Sequence, residues 1–215
     1  MTADQVETKV QRKRRTDFKS HALKIFSTYN ERKLISAVKI ADKSGYKEWK
    51  KDYHALISQG KIIKRLSDNE FRVFIMAVYG WMPVLYSQQN IKKLKKNIPI
   101  LLSSKSPDKK IITETMECFK SRKHKNGSIS ALSKVLHFCR PVRFPVWDTR
   151  VAKSLGRESG TGNNVDIYLD YLFVMSKLKF NKDLANYYMD YKNAVDNEAV
   201  KIRALEHGLF LHGLK

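Results

Sequence analysis

Asp148 is the residue whose surroundings most need a chemical explanation. It stands in FPVWDTRVAKSLG, residues 144–156, and is the only acid between Arg122 and Arg157, a stretch with seven further Lys and Arg residues. A surface so charged gathers anions. A lone carboxylate within it repels the same anions, so it needs a duty there. One duty is structural, as the N-cap of a following helix. The other is chemical: a carboxylate can stabilise positive charge that develops in a transition state, and it can orient water.

Upstream, KHKNGSIS at 123–130 reads as a tight turn running into a helix. Amides exposed at such a turn form a phosphate site. Gly127 allows close backbone approach, and Asn126, Ser128 and Ser130 complete the turn. Lys123, Lys125, Arg150 and Lys153 add long-range attraction that salt weakens. Lys134 lies one helical turn beyond Ser130. Trp147 reads either as core or as a wall against a flat ligand, and Trp81 beside Tyr79 reads the same two ways. His137 in KVLHF reads as a packed helix residue or as an acid–base group. Gln88 and Gln89 in YSQQN are either surface or a probe into a base stack.

The charge supports an anionic partner. The chain of 215 residues carries a formal net charge of +21, distributed unevenly. Residues 1–66 are net +10, 67–127 net +7, 128–162 net +4, and 163–215 neutral. A surface kept basic only for solubility would normally mix both signs along its whole length. No basic stretch pairs with a lipid-inserting apolar face, and no run of about 18 uncharged apolar residues is present, so no membrane association is expected. The basic N-terminus does not read as a secretion signal. Cys118 and Cys139 form neither a ligand cluster nor a disulfide framework. These features point to a reduced compartment, cytoplasmic and nucleoid-associated (nuclear in a eukaryote), with no metal or other cofactor.

The elements that must position these residues are helical. Residues 1–15, ending in QRKRR, read as a disordered basic arm, and 16–215 as one helical domain. Apolar spacing of three and four predicts helices through HALKIFSTY, RKLISAVKIADKSG and YKEWKKDYHALISQG, the last two ending at Gly45 and Gly60. Ser67 and Glu70 make a capping box for a helix that begins near Phe71, apolar on nearly all sides as a buried central helix would be, and kinked near Pro83. A winged hairpin of IIKRL and EFRVFI is the competing reading of that region. Ser106-Pro107 starts a helix to about Arg122. Further helices are expected over about Ser130–Phe138, over Thr149–Leu155 capped by Asp148 and stopped at Gly156, and in three pieces over 164–212. The two prolines of CRPVRFP keep it extended.

The order helix, KNGSIS turn, helix, extended link and helix-capping Asp resembles the helix-hairpin-helix DNA glycosylase superfamily over residues 124–157. FPVWDTRVAKSLG is similar to the segment around that family's catalytic Asp, and the Phe-Pro before Asp148 looks most like the adenine DNA glycosylase branch. YSQQN is similar to the segment that fills the gap left by a flipped base. The lyase branches place a Lys where Ser130 stands here. The resemblance implies an all-α, two-lobed glycosylase-like fold with its hairpin near 124–138, and a monomer that acts on duplex DNA. It implies a monofunctional DNA N-glycosylase with Asp148 as the catalytic carboxylate beside Lys134. The hairpin would then bind DNA, and Trp147, Gln88 and Trp81 would line a pocket for a modified, damaged or mismatched base. Such a base must leave the stack before chemistry. Its departure leaves an oxocarbenium-like sugar, the charge that a carboxylate stabilises. Two rivals stand beside this reading: a non-catalytic DNA-binding protein on the same scaffold, and a phage-type enzyme that modifies thymine side groups.

Overall fold

A computed structural model describes residues 47–80, 90–121, 124–156 and 164–177, together with Ser20, Ala22, Glu206 and Leu209. The expected basic arm, Trp81, Gln88, Gln89, the Pro83 kink, Lys123 and the helices beyond Lys177 lie outside these residues. So do the helices placed between Phe18 and Gly45, apart from Ser20 and Ala22, which are helical.

The described residues form seven α-helices and no strand, which agrees with the all-α expectation. In chain order these are α1 (Lys47–Lys61), α2 (Asp68–Tyr79), α3 (Ile91–Ser103), α4 (Lys109–Met116), α5 (Ile129–Cys139), α6 (Thr149–Ser154) and α7 (Val165–Lys177), with a 3-10 turn at Ile63–Arg65 between α1 and α2. No helix among the described residues is long and apolar enough to cross a membrane.

The capping box forms as read. The Glu70 amide donates to Ser67 Oγ, and the Ser67 amide donates to Glu70 Oε2 at 2.7 Å. This settles IIKRL and EFRVFI as a turn and a helix rather than a hairpin. The helix is not the central one, however. Phe71, Phe74, Ile75 and Val78 of α2 are buried, but Val73 and Met76 are more than half exposed. The central element is α5, against which α1, α2, α3 and α4 all pack. Nine of its eleven residues are buried, and only Ser130 and Lys134, one turn apart, come partly to the surface.

α1 ends at Lys61, one residue beyond the stop expected at Gly60. The glycine lies in the last turn, where α1 crosses α5, and a Cβ there would lie 2.1 Å from the Phe138 carbonyl oxygen. The glycine therefore also serves close helix approach. Pro99 likewise lies inside α3. A proline there removes one helical hydrogen bond. α4 begins later than Ser106: its cap is Asp108, whose side chain accepts the Lys110 amide at 2.7 Å. It also ends at Met116 rather than Arg122, because the chain turns there, with the Phe119 amide bonded to the Met116 carbonyl.

Candidate active site

Asp148 caps α6. One carboxylate oxygen, Oδ1, accepts the amides of Arg150 and Val151, each at 2.9 Å. Oδ2 receives no hydrogen bond among the described residues. The residue is half-buried, and Thr149, Arg150 and Lys153 beside it are exposed. One oxygen thus anchors the side chain while the other stays available, beside the exposed cations Arg150 and Lys153 of the same helix.

The link leading to Asp148 runs through the protein interior without regular structure. Phe144, Val146 and Trp147 are buried, so their backbone polar groups need partners. Side chains from three separate parts of the chain supply them. Ser133 Oγ on α5 accepts the Trp147 amide at 3.0 Å and lies 3.1 Å from the Trp147 carbonyl oxygen. His137, one turn along α5, places Nδ1 3.0 Å from the Phe144 carbonyl oxygen. The Val146 amide donates to Glu206 Oε1. Tyr171 on α7 donates to the Val146 carbonyl at 3.3 Å, and Tyr168 makes a long contact to that of Pro145.

His137 is itself enclosed. Its Nδ1 also faces Glu206 Oε1 at 3.3 Å, and its Nε2 meets the Tyr53 hydroxyl at 2.8 Å. Because Nδ1 faces two acceptors, a neutral ring carries its proton there, leaving Nε2 to accept from Tyr53. His137 is therefore the packed helix residue of the first reading, with the added duty of holding the link. The acid–base reading has no substrate-facing atom to support it.

Trp147, the first candidate for a base-pocket wall, is fully buried, its ring 4.9 Å from that of Tyr171. It anchors the link in the core. Gly127 and Ser128 also do structural work within the fold. Gly127 has a φ of +90°, and a Cβ on it would lie 2.2 Å from the Met116 carbonyl oxygen. Its amide donates to the His124 carbonyl within the turn. Ser128 is buried and caps α5 by accepting the Ala131 amide at 3.2 Å. The close approach that requires a glycine is thus to the protein's own α4. Lys125 and Asn126 are the exposed tip of this turn.

The structure therefore joins Ser130, Lys134 and Asp148 through one connection: the exposed edge of α5, the Ser133–Trp147 bonds, and the residue after Trp147. The cysteines are buried, and burial pushes both thiols up, Cys139 far above the usual thiol range. Ser133, Tyr53, Tyr168, Tyr171 and Glu206 were not among the sequence candidates. Ser133 and His137 carried a readable signal, two polar residues four apart on the apolar face of a helix whose other polar residues, Ser130 and Lys134, fall on another face. Glu206, 60 residues from its partner, carried none. Comparison with protein-family models, with curated proteins and with solved structures returned no match.

Proposed function

We propose that the protein is a DNA N-glycosylase of helix-hairpin-helix type, with a two-lobed glycosylase-like arrangement, that acts on an extruded base. In this reading Asp148 stabilises the positive charge that forms on the sugar as the base departs. The carrying observation is the carboxylate itself: anchored through Oδ1, open at Oδ2, and set by a buried scaffold into a surface of cations. A cap alone needs the first property and not the others. Lys125, Asn126, Arg150 and Lys153 bind the phosphate backbone, and Lys134 and Ser130 face the same duplex from α5.

A second reading, a DNA-binding protein without catalysis, is favoured by the enclosure of Trp147, Gly127 and Ser128. These residues were to form the base pocket and the grip on DNA. Single-turnover assays on duplexes carrying mismatched, oxidised, alkylated or deaminated bases separate the readings. Release of free base supports the glycosylase. A changed base left in the strand supports thymine-type modification, and binding without either supports the architectural protein.

A further inference from the structure

A cleft of about 1180 Å³ lies between the end of α3, the 104–107 link, the 140–145 link and α7. Its cations are Lys61, Lys105, Arg140 and Arg143. Arg140 Nη1 donates to the Leu102 carbonyl oxygen at 2.7 Å, and Arg143 Nη1 reaches the same oxygen at 3.3 Å. Two guanidinium groups are thus drawn together on one acceptor. No Asp or Glu among the described residues comes within ion-pair distance of either. Arg143 Nη2 is buried without a hydrogen-bond partner among the described residues. Asp170, the one acid in the cleft wall, is buried and has a partner of its own.

Capping the C-terminal end of α3 accounts for one arginine. Arg143 lies over the Phe144 ring, 5.1 Å from its centroid, but it makes a longer bond to an oxygen already taken and places like charges side by side. Burial and the neighbouring Arg140 charge both hold the Arg143 pKa below its ordinary value, and the charge of a bound anion would offset the repulsion between the two guanidinium groups. Paired guanidinium forks match the oxygens of a phosphate. Val142, Leu169, Leu172 and the half-exposed Phe173 give the wall an apolar part, beside Ser103, Ser104, Ser106 and Ser176. A volume of this size suits a small organic ligand.

We propose that this cleft binds a nucleoside phosphate, with the phosphate between Arg140 and Arg143 and the base against Val142, Leu172 and Phe173. The ligand is either a free nucleotide or a nucleotide unit of a single strand. The site is separate from Asp148 and does not depend on the glycosylase reading.

Calorimetric titration of the full-length protein at low ionic strength with dAMP, dTMP, inorganic phosphate and a single-stranded oligonucleotide tests this. Saturable nucleotide binding, displaced by inorganic phosphate, is expected. Arg140→Gln and Arg143→Gln should each weaken it about tenfold or more, the cost of losing a hydrogen bond to a charged group. Tighter binding of the oligonucleotide, lost in the same variants, identifies the strand as the source; preference for the mononucleotides identifies the free ligand. Absence of saturable binding by the wild type overturns the proposal, as does undiminished binding by a folded Arg143→Gln protein. If removing an arginine unfolds the chain, Arg140→Lys and Arg143→Lys decide, since lysine keeps the charge and loses the fork: weaker nucleotide binding supports the site and unchanged binding overturns it.

Discussion

Ser133 holds both polar groups of the Trp147 backbone, accepting the amide at 3.0 Å and reaching the carbonyl oxygen at 3.1 Å. The hydroxyl hydrogen is shared with the Ser130 carbonyl, 2.9 Å away. One small side chain on the central helix thereby fixes the residue immediately before Asp148. Ser133→Ala should leave the buried Trp147 amide without an acceptor, at a cost of about 1–3 kcal/mol. A urea midpoint indistinguishable from wild type would show that the bond does not hold the link. If Asp148 is catalytic, base release should fall as well, because its position is inherited from Trp147.

Asp148→Asn should separate binding from chemistry. Asparagine keeps an oxygen for the Arg150 and Val151 amides, so stability should change by less than about 1 kcal/mol. Loss of the negative charge should maintain or tighten DNA binding while single-turnover base release falls by about a hundredfold or more, as when a preorganised electrostatic group is removed. Equal turnover in the two proteins would leave Asp148 as a cap and nothing more.

Gly127→Ala is expected to act on the fold before it acts on DNA. The positive φ costs an L-residue about 1–2 kcal/mol, and the clash with Met116 adds about 1–3 kcal/mol of overpacking. For a chain of this size the sum lowers the melting temperature by roughly 5–20 °C. A variant that melts with the wild type would contradict the packing of this turn against α4.

DNA binding should depend steeply on salt. If about 6 phosphates are neutralised, affinity falls about a thousandfold between 50 and 200 mM salt. An affinity that hardly moves over that range would remove the polyanion reading of the +21 charge.

Stability should decline in alkali. Burial raises Cys139 and, together with the Glu206 charge, holds Tyr168 well above its ordinary value. The folded chain keeps these protons where the unfolded chain releases them, from about pH 8.5 for the thiol and about pH 10 for the phenol. The stabilisation is therefore complete below those values and is lost as pH rises, by at most about 1.4 kcal/mol per pH unit for each group. Urea midpoints at pH 8 and 10.5 should differ, and Cys139→Ala should flatten the lower part of the curve. Midpoints that stay level, or rise, contradict this.

Periodicity and caps made much of this molecule readable. Ser67, Glu70 and Asp148 act within three residues of themselves, so their roles follow from local rules. The identity of the central helix did not follow, because the run from Phe71 and the run from Ile129 are both apolar, and only tertiary packing decides which is enclosed. The helix end near Gly60 was legible, but the close crossing with Phe138 was not, because nothing local marks it. Trp147 takes the core reading of its two, and the packing around it and around Gly127 was not legible. Their partners, Tyr171 and Met116, come from other elements.

The two attachments of α5 to the link have a consequence for chain length. Ser133 and His137 stand about 6 Å apart along a helix axis. The Phe144 carbonyl and the Trp147 amide they bind are separated by Pro145 and Val146, a span of about 6.6 Å when extended. The two spacings agree only for this number of residues. Inserting or deleting one residue between Phe144 and Trp147 would reverse the facing of the next side chain and carry Asp148 about 3.3 Å along the chain. The length of this short link should therefore be held more strictly than its lack of regular structure suggests.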